Sequence, residues 1–393
     1  MNPLQRLLAL SEEEKARLGV EATPAEIAQQ PEMWRDTARR FAVAAPAIRK
    51  LLPDPPAEVI FAGAGTSDFV GKCLQGPVSA ALHTRALAIP TTDIVTHPDF
   101  AFPASRPALL VSFARSGNSP ESIAAVDIAL AARPEIRHLV ITCNAEGQLA
   151  QRAASLGDRA HTLALHPSTN DRGLAMTSSF SSMVVAGLGL AYLDNVNEYV
   201  SLVDRLAVAA ENLLKTMPDA AERLAKRAPQ RACFLGSGSA YGAAVESHLK
   251  LQELTDGGLI CFCDTFLGIR HGPRAAIHPN TLVIYFLASD PKVRRYELDL
   301  VRSNRQQSIG LAHLIIANKA EGLAALADEI VTFDPDDNLA LPDYMLAPVY
   351  TIAGQLLGLF ASLQRGLKPD APSAGGVIHR VVQGVTIYPR ERS

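Results

Sequence analysis

The sequence has no excess of basic residues and few cysteines, an odd number that is scattered along the chain. Its 37 lysines and arginines are matched by 40 aspartates and glutamates, which gives a formal net charge of −3. Without a basic footprint we expect no nucleic-acid partner, and an anionic ligand must be bound by a local site. The five cysteines lack the paired spacing of a zinc site, so we expect reduced thiols that pack as small apolar groups. A metal or redox role for the Cys261-x-Cys263 pair is the minor alternative.

The sequence also lacks long hydrophobic runs. The apolar segment Leu7–Leu10 is far shorter than the core of a signal peptide. The longest apolar stretch, Met176–Leu193, is interrupted by threonine, serines and glycines, whereas a membrane span needs about 20 nearly unbroken apolar residues. We therefore expect a cytoplasmic protein with no membrane partner, in which this stretch is a buried helix.

The first 52 residues predict a short helical arm. The segment Thr23-Pro24-Ala25-Glu26 has the pattern of a capping box with proline at the first helical position, which predicts a helix from there through Trp34 toward Phe41. Three prolines, at 53, 55 and 56, then stop the helix. We place the first domain boundary there.

The rest of the chain is an internal repeat. Three segments recur, the first two at an offset of 173 residues and the third at 175: Phe61–Ser67 with Phe234–Ala240, Ser112-Phe113 with Tyr285-Phe286, and His138–Gly147 with His313–Gly322. In each unit, short apolar runs alternate with helical stretches, which predicts three-layer α/β/α sandwiches with mainly parallel sheets. The predicted division is 1–52 for the arm, 53–215 for the first unit with linking helices, and 216–393 for the second unit with the C-terminal tail. The linking helices should run from Ser179 to about Met217, with a break at residues 194–197.

A Gly-x-Gly pair follows the first strand of each unit. In the first unit, Gly63-Ala-Gly65 lacks the third glycine of the dinucleotide-binding pattern, and no acidic residue follows at the expected distance. The glycines instead allow a tight turn, after which Thr66 and Ser67 offer hydroxyl groups at a helix start. We expect Gly65, Thr66 and Ser67 to face a ligand.

The segment 111–122 predicts a buried strand that leads directly into a helix start. Four short polar side chains surround Gly117, namely Ser116, Asn118, Ser119 and Ser122, and residues 116–122 are called the serine turn below. Ser119 suits the N-cap and Pro120 the first helical position. Such a start presents free N–H groups and the positive end of the helix dipole, so it favours phosphate; simple helix capping is the alternative. In the second unit Asp290 stands at the position of Gly117, and its charge should exclude phosphate.

The second unit carries a different group of polar residues. Glu246, Lys250 and Glu253 have the spacing of one helix face, which suits proton-transfer chemistry or, alternatively, a surface salt-bridge ladder. His271 lies in Arg270-His-Gly-Pro273, where glycine and proline fix the ring on a turn. His248, alone on the helix, is expected to be structural.

These residues together resemble the sugar isomerase (SIS) superfamily, and specifically the galactosamine-6-phosphate deaminase family, also known as tagatose-6-phosphate ketose/aldose isomerases. The resemblance spans about residues 23–389. The segments that carry it are G-A-G-T-S at 63–67, P-T-T-D at 90–93, S-F-A-R-S-G-N-S-P-E-S at 112–122, D-R-G-L-A-M-T-S-S at 171–179, E-S-H-L-K-L-Q-E-L at 246–254, G-I-R-H-G-P at 268–273 and R-V-V-Q-G-V at 380–385.

The isomerase domain of glucosamine-6-phosphate synthase is a better understood relative. Similarity to it implies that Ser116 and Ser119 bind phosphate, that Glu253 is the proton-transfer base, that Lys250 orients the sugar and that His271 opens the sugar ring. There are two departures from that pattern. Arg115 replaces a glutamine and could add positive charge to the phosphate site, and Gln383 is the nearest match to a lysine in the C-terminal tail.

The resemblance implies an enzyme without cofactor or metal that acts on a phosphorylated hexose or hexosamine. Deamination of a 2-amino-2-deoxyhexose 6-phosphate is the expected reaction, and aldose–ketose isomerisation is the nearest alternative. The third possibility is a non-catalytic sugar-phosphate regulator, but residues 1–50 show no basic recognition helix. We expect a homodimer or higher homo-oligomer in which His271 reaches the neighbouring subunit's site.

Overall fold

A computed structural model describes residues 1–52, 58–102, 107–382 and 384–388. The proline-rich boundary at 53–56 and Gln383 lie outside the described residues. The chain forms two five-stranded sheets, and every strand pair within each sheet is parallel. The expected tandem of α/β units is therefore confirmed.

The strand order is the same in both sheets. The first sheet has the order β2-β1-β3-β4-β5 and the second β7-β6-β8-β9-β10, so the first strand of each unit lies second from the edge, between the second and third strands of that unit. The strands of the first sheet are β1 (Glu58–Ala62), β2 (Ala86–Ala88), β3 (Ala108–Ala114), β4 (Arg137–Thr142) and β5 (Ala160–Ala164). Those of the second are β6 (Arg231–Leu235), β7 (Ile260–Asp264), β8 (Thr281–Phe286), β9 (Ala312–Ala317) and β10 (Glu329–Thr332).

The repeat extends to backbone geometry. Gly65, after β1, has φ 55° and ψ −126°, and Gly238, after β6, has φ 56° and ψ −127°. These angles are open to glycine and strained for other residues, so the paired glycines are required by the same turn in each unit. That turn places the amino end of the next helix at the carboxyl edge of the sheet. Ligands bind at this edge in open α/β folds.

Fourteen α-helices lie within the described residues. In the arm and the first unit they are α1 (Pro3–Leu8), α2 (Glu12–Leu18), α3 (Thr23–Ala28), α4 (Gln30–Leu51), α5 (Thr66–Leu82), α6 (Thr91–Thr96), α7 (Pro98–Ala101), α8 (Pro120–Ala132) and α9 (Gln148–Ala154). The linking helices are α10 (Ser178–Leu188) and α11 (Val196–Lys226), and the second unit has α12 (Ser239–Leu254), α13 (Pro291–Gln306) and α14 (Ala347–Gln364). No helix in the described ranges has the length and apolar character needed to cross a membrane.

The N-terminal arm is helical, but its predicted cap is wrong. Thr23 lies inside α3 rather than before it, and no side chain caps that helix. The Thr23 hydroxyl donates to Asp370 at 2.6 Å, and Asp370 also accepts from the Ala22 and Thr23 amides. Glu26 instead accepts the Arg172 amide at 2.6 Å. Both residues of the predicted capping box therefore bind residues far away in sequence. These hydrogen bonds hold the arm against the segment around Asp370 and the loop before α10.

The linking helices break where predicted and extend further. Asn195 caps α11, and α10 is completely buried. Because α11 continues to Lys226, the predicted division between residues 215 and 216 falls inside one helix. The exact domain limits remain a prediction.

Close helix contacts join the two units. A Cβ atom on Gly242 of α12 would lie 2.5 Å from Cys73 Sγ and 2.7 Å from the Cys73 amide nitrogen in α5. A Cβ on Gly354 of α14 would lie 2.4 Å from Ser247 on the other side of α12. Helix α12 is therefore held between α5 of the first unit and α14 of the second. Its polar face consequently meets residues of the first unit.

Candidate active site

A cavity of about 440 Å³ lies where the first sheet, α12 and the C-terminal tail meet, the tail being residues 365–388. The start of α5, the end of β3, the serine turn and the second half of α12 each contribute side chains. The tail crosses it with residues 377–382. The cavity-lining residues include Gly65, Thr66, Ser67, Arg115, Ser116, Gly117, Ser119, Glu121, Ser122, Leu174, Met176, Lys250, Glu253 and His379.

The serine turn forms the predicted helix start. Ser119 is the N-cap of α8, its hydroxyl accepts from the Ser122 amide at 3.3 Å, and the two hydroxyls are 2.7 Å apart. Gly117 has φ 66°, a left-handed conformation that glycine adopts without strain. The turn therefore aims hydroxyl groups and the amino end of a 13-residue helix at the cavity. Capping does not rule out anion binding, because the cap itself involves only the Ser119 hydroxyl and the Ser122 amide, and Ser116 also lines the cavity.

The corresponding turn of the second unit has fewer residues than the first. The caps Ser119 and Asp290 are 171 residues apart, whereas the offset of the preceding strands is 173. Asp290, predicted to replace Gly117, is the N-cap of α13 and so corresponds to Ser119. Its carboxylate accepts from the Lys292 and Val293 amides at 2.8 and 3.0 Å. The carboxylate of Asp343 accepts from the Ser289 amide at 2.6 Å and the Asp290 amide at 3.0 Å. The carboxylates of Asp290 and Asp343 thus occupy this helix start. The predicted reason, a charge at the position of Gly117, is wrong, because Asp290 is the cap residue of the helix.

Helix α12 places a lysine at the centre of a polar cluster, called the lysine cluster below. Lys250 Nζ lies 2.6 Å from Glu253 Oε2, 3.3 Å from Glu246 Oε1 and 3.0 Å from Thr66 Oγ1. The side chains of Lys250 and Glu246 are 1% and 0% exposed, whereas Glu253 is 24% exposed. The alternative of a surface salt-bridge ladder is therefore wrong, because the ladder faces inward.

Burial controls the electrostatics of the lysine cluster. Burial raises the pKa of the Glu246 carboxyl, and Lys250 offsets only part of this effect. Burial alone would lower the pKa of Lys250, but the two carboxylates outweigh it and raise the pKa above its ordinary value. The ammonium group is therefore retained, and Glu253 is the carboxylate of the cluster that reaches the cavity.

Arg115 lines the cavity, and its guanidinium is bonded to backbone carbonyl oxygens outside the serine turn. Its guanidinium donates to the carbonyl oxygens of Gly173 at 3.3 Å and Leu174 at 3.1 Å, and to that of Arg380. The side chain is nearly buried, and burial lowers its pKa. The predicted contribution of Arg115 to a phosphate site is not supported by these contacts.

The structure brings together most of the predicted site residues. Gly65, Thr66, Ser67, Arg115, Ser116, Gly117, Ser119, Ser122, Lys250 and Glu253 line one cavity. Asn118 does not; it is exposed, and its side chain accepts the Gln148 amide at 3.1 Å, which fastens the turn to α9. His271 is exposed on a separate turn and is not among the lining residues. Gln383 lies outside the described residues.

Two residues near the site, His379 and Glu121, escaped the sequence reasoning, as did the burial of a third, Glu246. His379 lines the cavity from the tail, directly before the R-V-V-Q-G-V segment, so its neighbourhood was the available signal. Glu121 lines it from the first turn of α8. Glu246 was grouped with Lys250, but its complete burial depends on α5 and could not be seen in the helix spacing alone.

This arrangement combines a helix start rich in hydroxyl groups with a partly exposed carboxylate beside a fixed ammonium group. The first can hold one end of a phosphorylated molecule, and the second can move a proton at the other end. Among the described residues, no group of three or more His, Cys, Asp or Glu side chains is arranged to hold a metal ion.

The chain is similar to known proteins over most of its length. The chain is 41% identical over 384 residues to a Streptomyces coelicolor protein named as a candidate D-galactosamine-6-phosphate deaminase AgaS, with 93% of this chain and 95% of the relative covered. It is 38% identical over 375 residues to the Escherichia coli D-galactosamine-6-phosphate deaminase AgaS, with the same coverage. The crystal structure of tagatose-6-phosphate ketose/aldose isomerase from Escherichia coli superposes with a TM-score of 0.84 at 34% identity, covering 94% of this chain and 97% of that one. No protein-family model matches the chain.

Proposed function

Since the chain belongs to the D-galactosamine-6-phosphate deaminase (AgaS) family, and is an enzyme of the sugar-phosphate isomerase/deaminase type, we propose that it converts galactosamine 6-phosphate to a ketose 6-phosphate and ammonium. One observation carries the proposal: Glu253, the Lys250 ammonium group and the serine turn line the same cavity. The cavity is large enough for a hexose phosphate, and it separates a binding end from a reacting end. The reaction takes place in the cytoplasm.

The phosphate group binds at the serine turn. The hydroxyls of Ser116 and Ser119, together with the amino end of α8, supply hydrogen-bond donors and positive potential. These contacts hold a part of the substrate that does not react, so their energy positions the sugar carbons. Thr66 and Ser67 at the start of α5 lie on the same cavity and face the sugar.

The proton transfer takes place at the lysine cluster. Glu253 removes the proton from C2 of the open-chain amino sugar, and an enolamine forms. Return of that proton to C1 produces a 2-imine, and water then adds to C2 and releases ammonium. Lys250, fixed by Glu246, Glu253 and Thr66, places its positive charge beside the oxygen or nitrogen on which charge develops.

Ring opening needs a further acid–base group, and we assign it to His271 of the partner subunit in a homodimer. His271 is exposed on a short turn and does not line the cavity of its own chain. The same face exposes Leu267 and Tyr296 by 51% and 53%, with Arg270 beside them. A second copy of the chain would cover these apolar groups and carry each histidine toward the other subunit's cavity.

The direct test is to supply galactosamine 6-phosphate, glucosamine 6-phosphate and tagatose 6-phosphate separately and to measure ammonium and ketose independently. We expect ammonium and ketose in equal amounts from galactosamine 6-phosphate. Aldose–ketose conversion of tagatose 6-phosphate, with no ammonium from either amino sugar, would identify a simple isomerase. Binding of the sugars without turnover would contradict catalysis and favour a regulator.

A further inference from the structure

The segment 377–382 of the tail covers one side of the cavity without belonging to any helix or strand. Val377 and Val382 are 83% and 49% exposed, so apolar packing holds this segment only weakly. Within the described part of the chain, the hydrogen bonds that join this segment to other segments are made by two arginines. The position of the segment 377–382 therefore depends on these two arginine side chains.

Arg115 is the first of them. It stands between the last residue of β3 and Ser116, and its guanidinium donates to backbone carbonyls outside the serine turn. Its guanidinium joins the carbonyl of Arg380 in the tail to the carbonyls of Gly173 and Leu174. One planar group thus ties together the serine turn's strand, the loop before α10 and the tail.

Arg380 is the second. Its Nε donates to the Asp171 carbonyl at 2.8 Å, and a terminal nitrogen donates to Asn170 Oδ1 at 2.8 Å. The receiving loop is itself rigid, because the buried Asp171 carboxylate accepts from the Thr177 and Ser179 amides at 2.7 and 2.9 Å. The two arginines therefore bind the tail to the segment 170–174 through separate hydrogen bonds.

We infer that Arg115 is a positioning residue that holds the tail over the cavity and so encloses the sugar, and that it is not a phosphate ligand. A guanidinium suits this task because its planar fork can satisfy several carbonyl oxygens at once. The inference rests on the proposed function for the identity of the enclosed ligand. The hydrogen bonds from which it is drawn do not depend on that function.

The test compares Arg115→Gln with the wild type by limited trypsin digestion of the folded protein, followed by mass spectrometry. Trypsin cleaves after arginine, so cleavage after Arg380 reports release of the tail. We expect this cleavage to become at least about tenfold faster in the variant, the effect of losing about 1.4 kcal/mol or more of holding energy. Cleavage after Arg39, inside α4, reports global unfolding and should not change.

Two further variants keep the test decisive if Arg115→Gln folds poorly. Arg380→Lys preserves the trypsin site while removing the planar fork, and it should accelerate cleavage there as Arg115→Gln does. Arg115→Lys should fall between Arg115→Gln and the wild type, because ammonium can satisfy fewer carbonyls in that geometry. Arg152→Gln, which removes a partly exposed arginine paired with Asp127, is the matched control and should behave as wild type.

Ligand binding separates positioning from phosphate contact. In Arg115→Gln we expect the Kd for inorganic phosphate, measured by calorimetry, to stay within about twofold, while KM for galactosamine 6-phosphate rises about tenfold. A large loss of phosphate affinity with unchanged cleavage after Arg380 would overturn the inference and make Arg115 a phosphate ligand. The cleavage and phosphate measurements need no turnover, so they stand even if the proposed reaction is wrong.

Discussion

At the scale of single residues, Glu253 differs from its neighbours in the lysine cluster because it is partly open to the cavity. Glu253→Gln should preserve substrate binding and lower kcat by about 10² or more, since an amide cannot accept the C2 proton. Steady-state kinetics with galactosamine 6-phosphate measure both. Asp256→Asn removes an exposed carboxylate outside the cavity and is the control. Near-normal turnover of Glu253→Gln would leave the cluster with a structural role only.

Glu297 of α13 allows a test of stability against pH. It is 1% exposed, accepts the Ala288 amide at 2.8 Å, and burial raises its pKa from 4.5 to about 7. The folded state therefore holds this proton more tightly than the unfolded state does. The stability it contributes is present below pH 4.5 and is lost as the pH rises through about 7.

Glu297→Gln keeps an acceptor for the Ala288 amide but cannot ionise. The free energy of unfolding of the wild type should fall relative to the variant by up to about 3 kcal/mol between pH 4.5 and 8. Urea unfolding at several pH values measures the difference. Glu13→Gln, an exposed position in α2, should follow the wild-type curve. Parallel curves for wild type and Glu297→Gln would show that Glu297 does not titrate differently in the folded state.

At the scale of elements, the contact between α5 and α12 holds Thr66 against Lys250. Gly242→Ala would place a methyl group 2.5 Å from Cys73 Sγ and 2.7 Å from its amide nitrogen, so the helices must separate. We expect a loss of about 1–3 kcal/mol in the free energy of unfolding, typical of overpacking. Activity should fall as well.

Gly76→Ala in α5 is the comparison, because no atom lies within 4 Å of the added Cβ. Its free energy of unfolding should change by less than about 1 kcal/mol. Denaturant titrations of both variants measure the effects. Equal changes in the free energy of unfolding for Gly242→Ala and Gly76→Ala would show that the close contact between α5 and α12 is not the cause of the destabilisation.

The elements were predictable where a local pattern decides them. The strands near 59–62, 108–111 and 139–142, the Ser119 cap and the break before α11 follow from apolar runs and capping residues within a few positions. The Thr23 cap failed because Asp370, far away in sequence, takes its hydroxyl.

The site, like the helices and strands, was predictable only where a local sequence pattern determines it. The spacing of Glu246, Lys250 and Glu253 gave a shared face, but their burial depends on contacts with α5 and α14. The direction of Arg115 and the approach of His379 depend on the fold of the tail, which has no periodic pattern to read. Long-range packing, not local propensity, decides these features.

At the scale of the whole molecule, a shared site predicts complementation between inactive chains. His271→Ala and Glu253→Gln proteins, mixed after dissociation and reassociated, should regain up to about a quarter of wild-type activity, since half of the dimers are mixed and each has one intact site. Each variant reassociated alone is the control. If both residues acted from the same chain, no mixed dimer would contain an intact site and no activity would return.

The carboxylate of Asp343, held by two amides at the start of α13, has a consequence for binding stoichiometry. Duplication of one α/β unit creates two equivalent helix starts, and a duplicated receptor with both open would bind two anions per polypeptide. Here the second start carries its own tethered anion. Calorimetric titration with inorganic phosphate is therefore expected to reach saturation at one phosphate per chain. A second equivalent of comparable affinity would show that the tethered carboxylate is displaced.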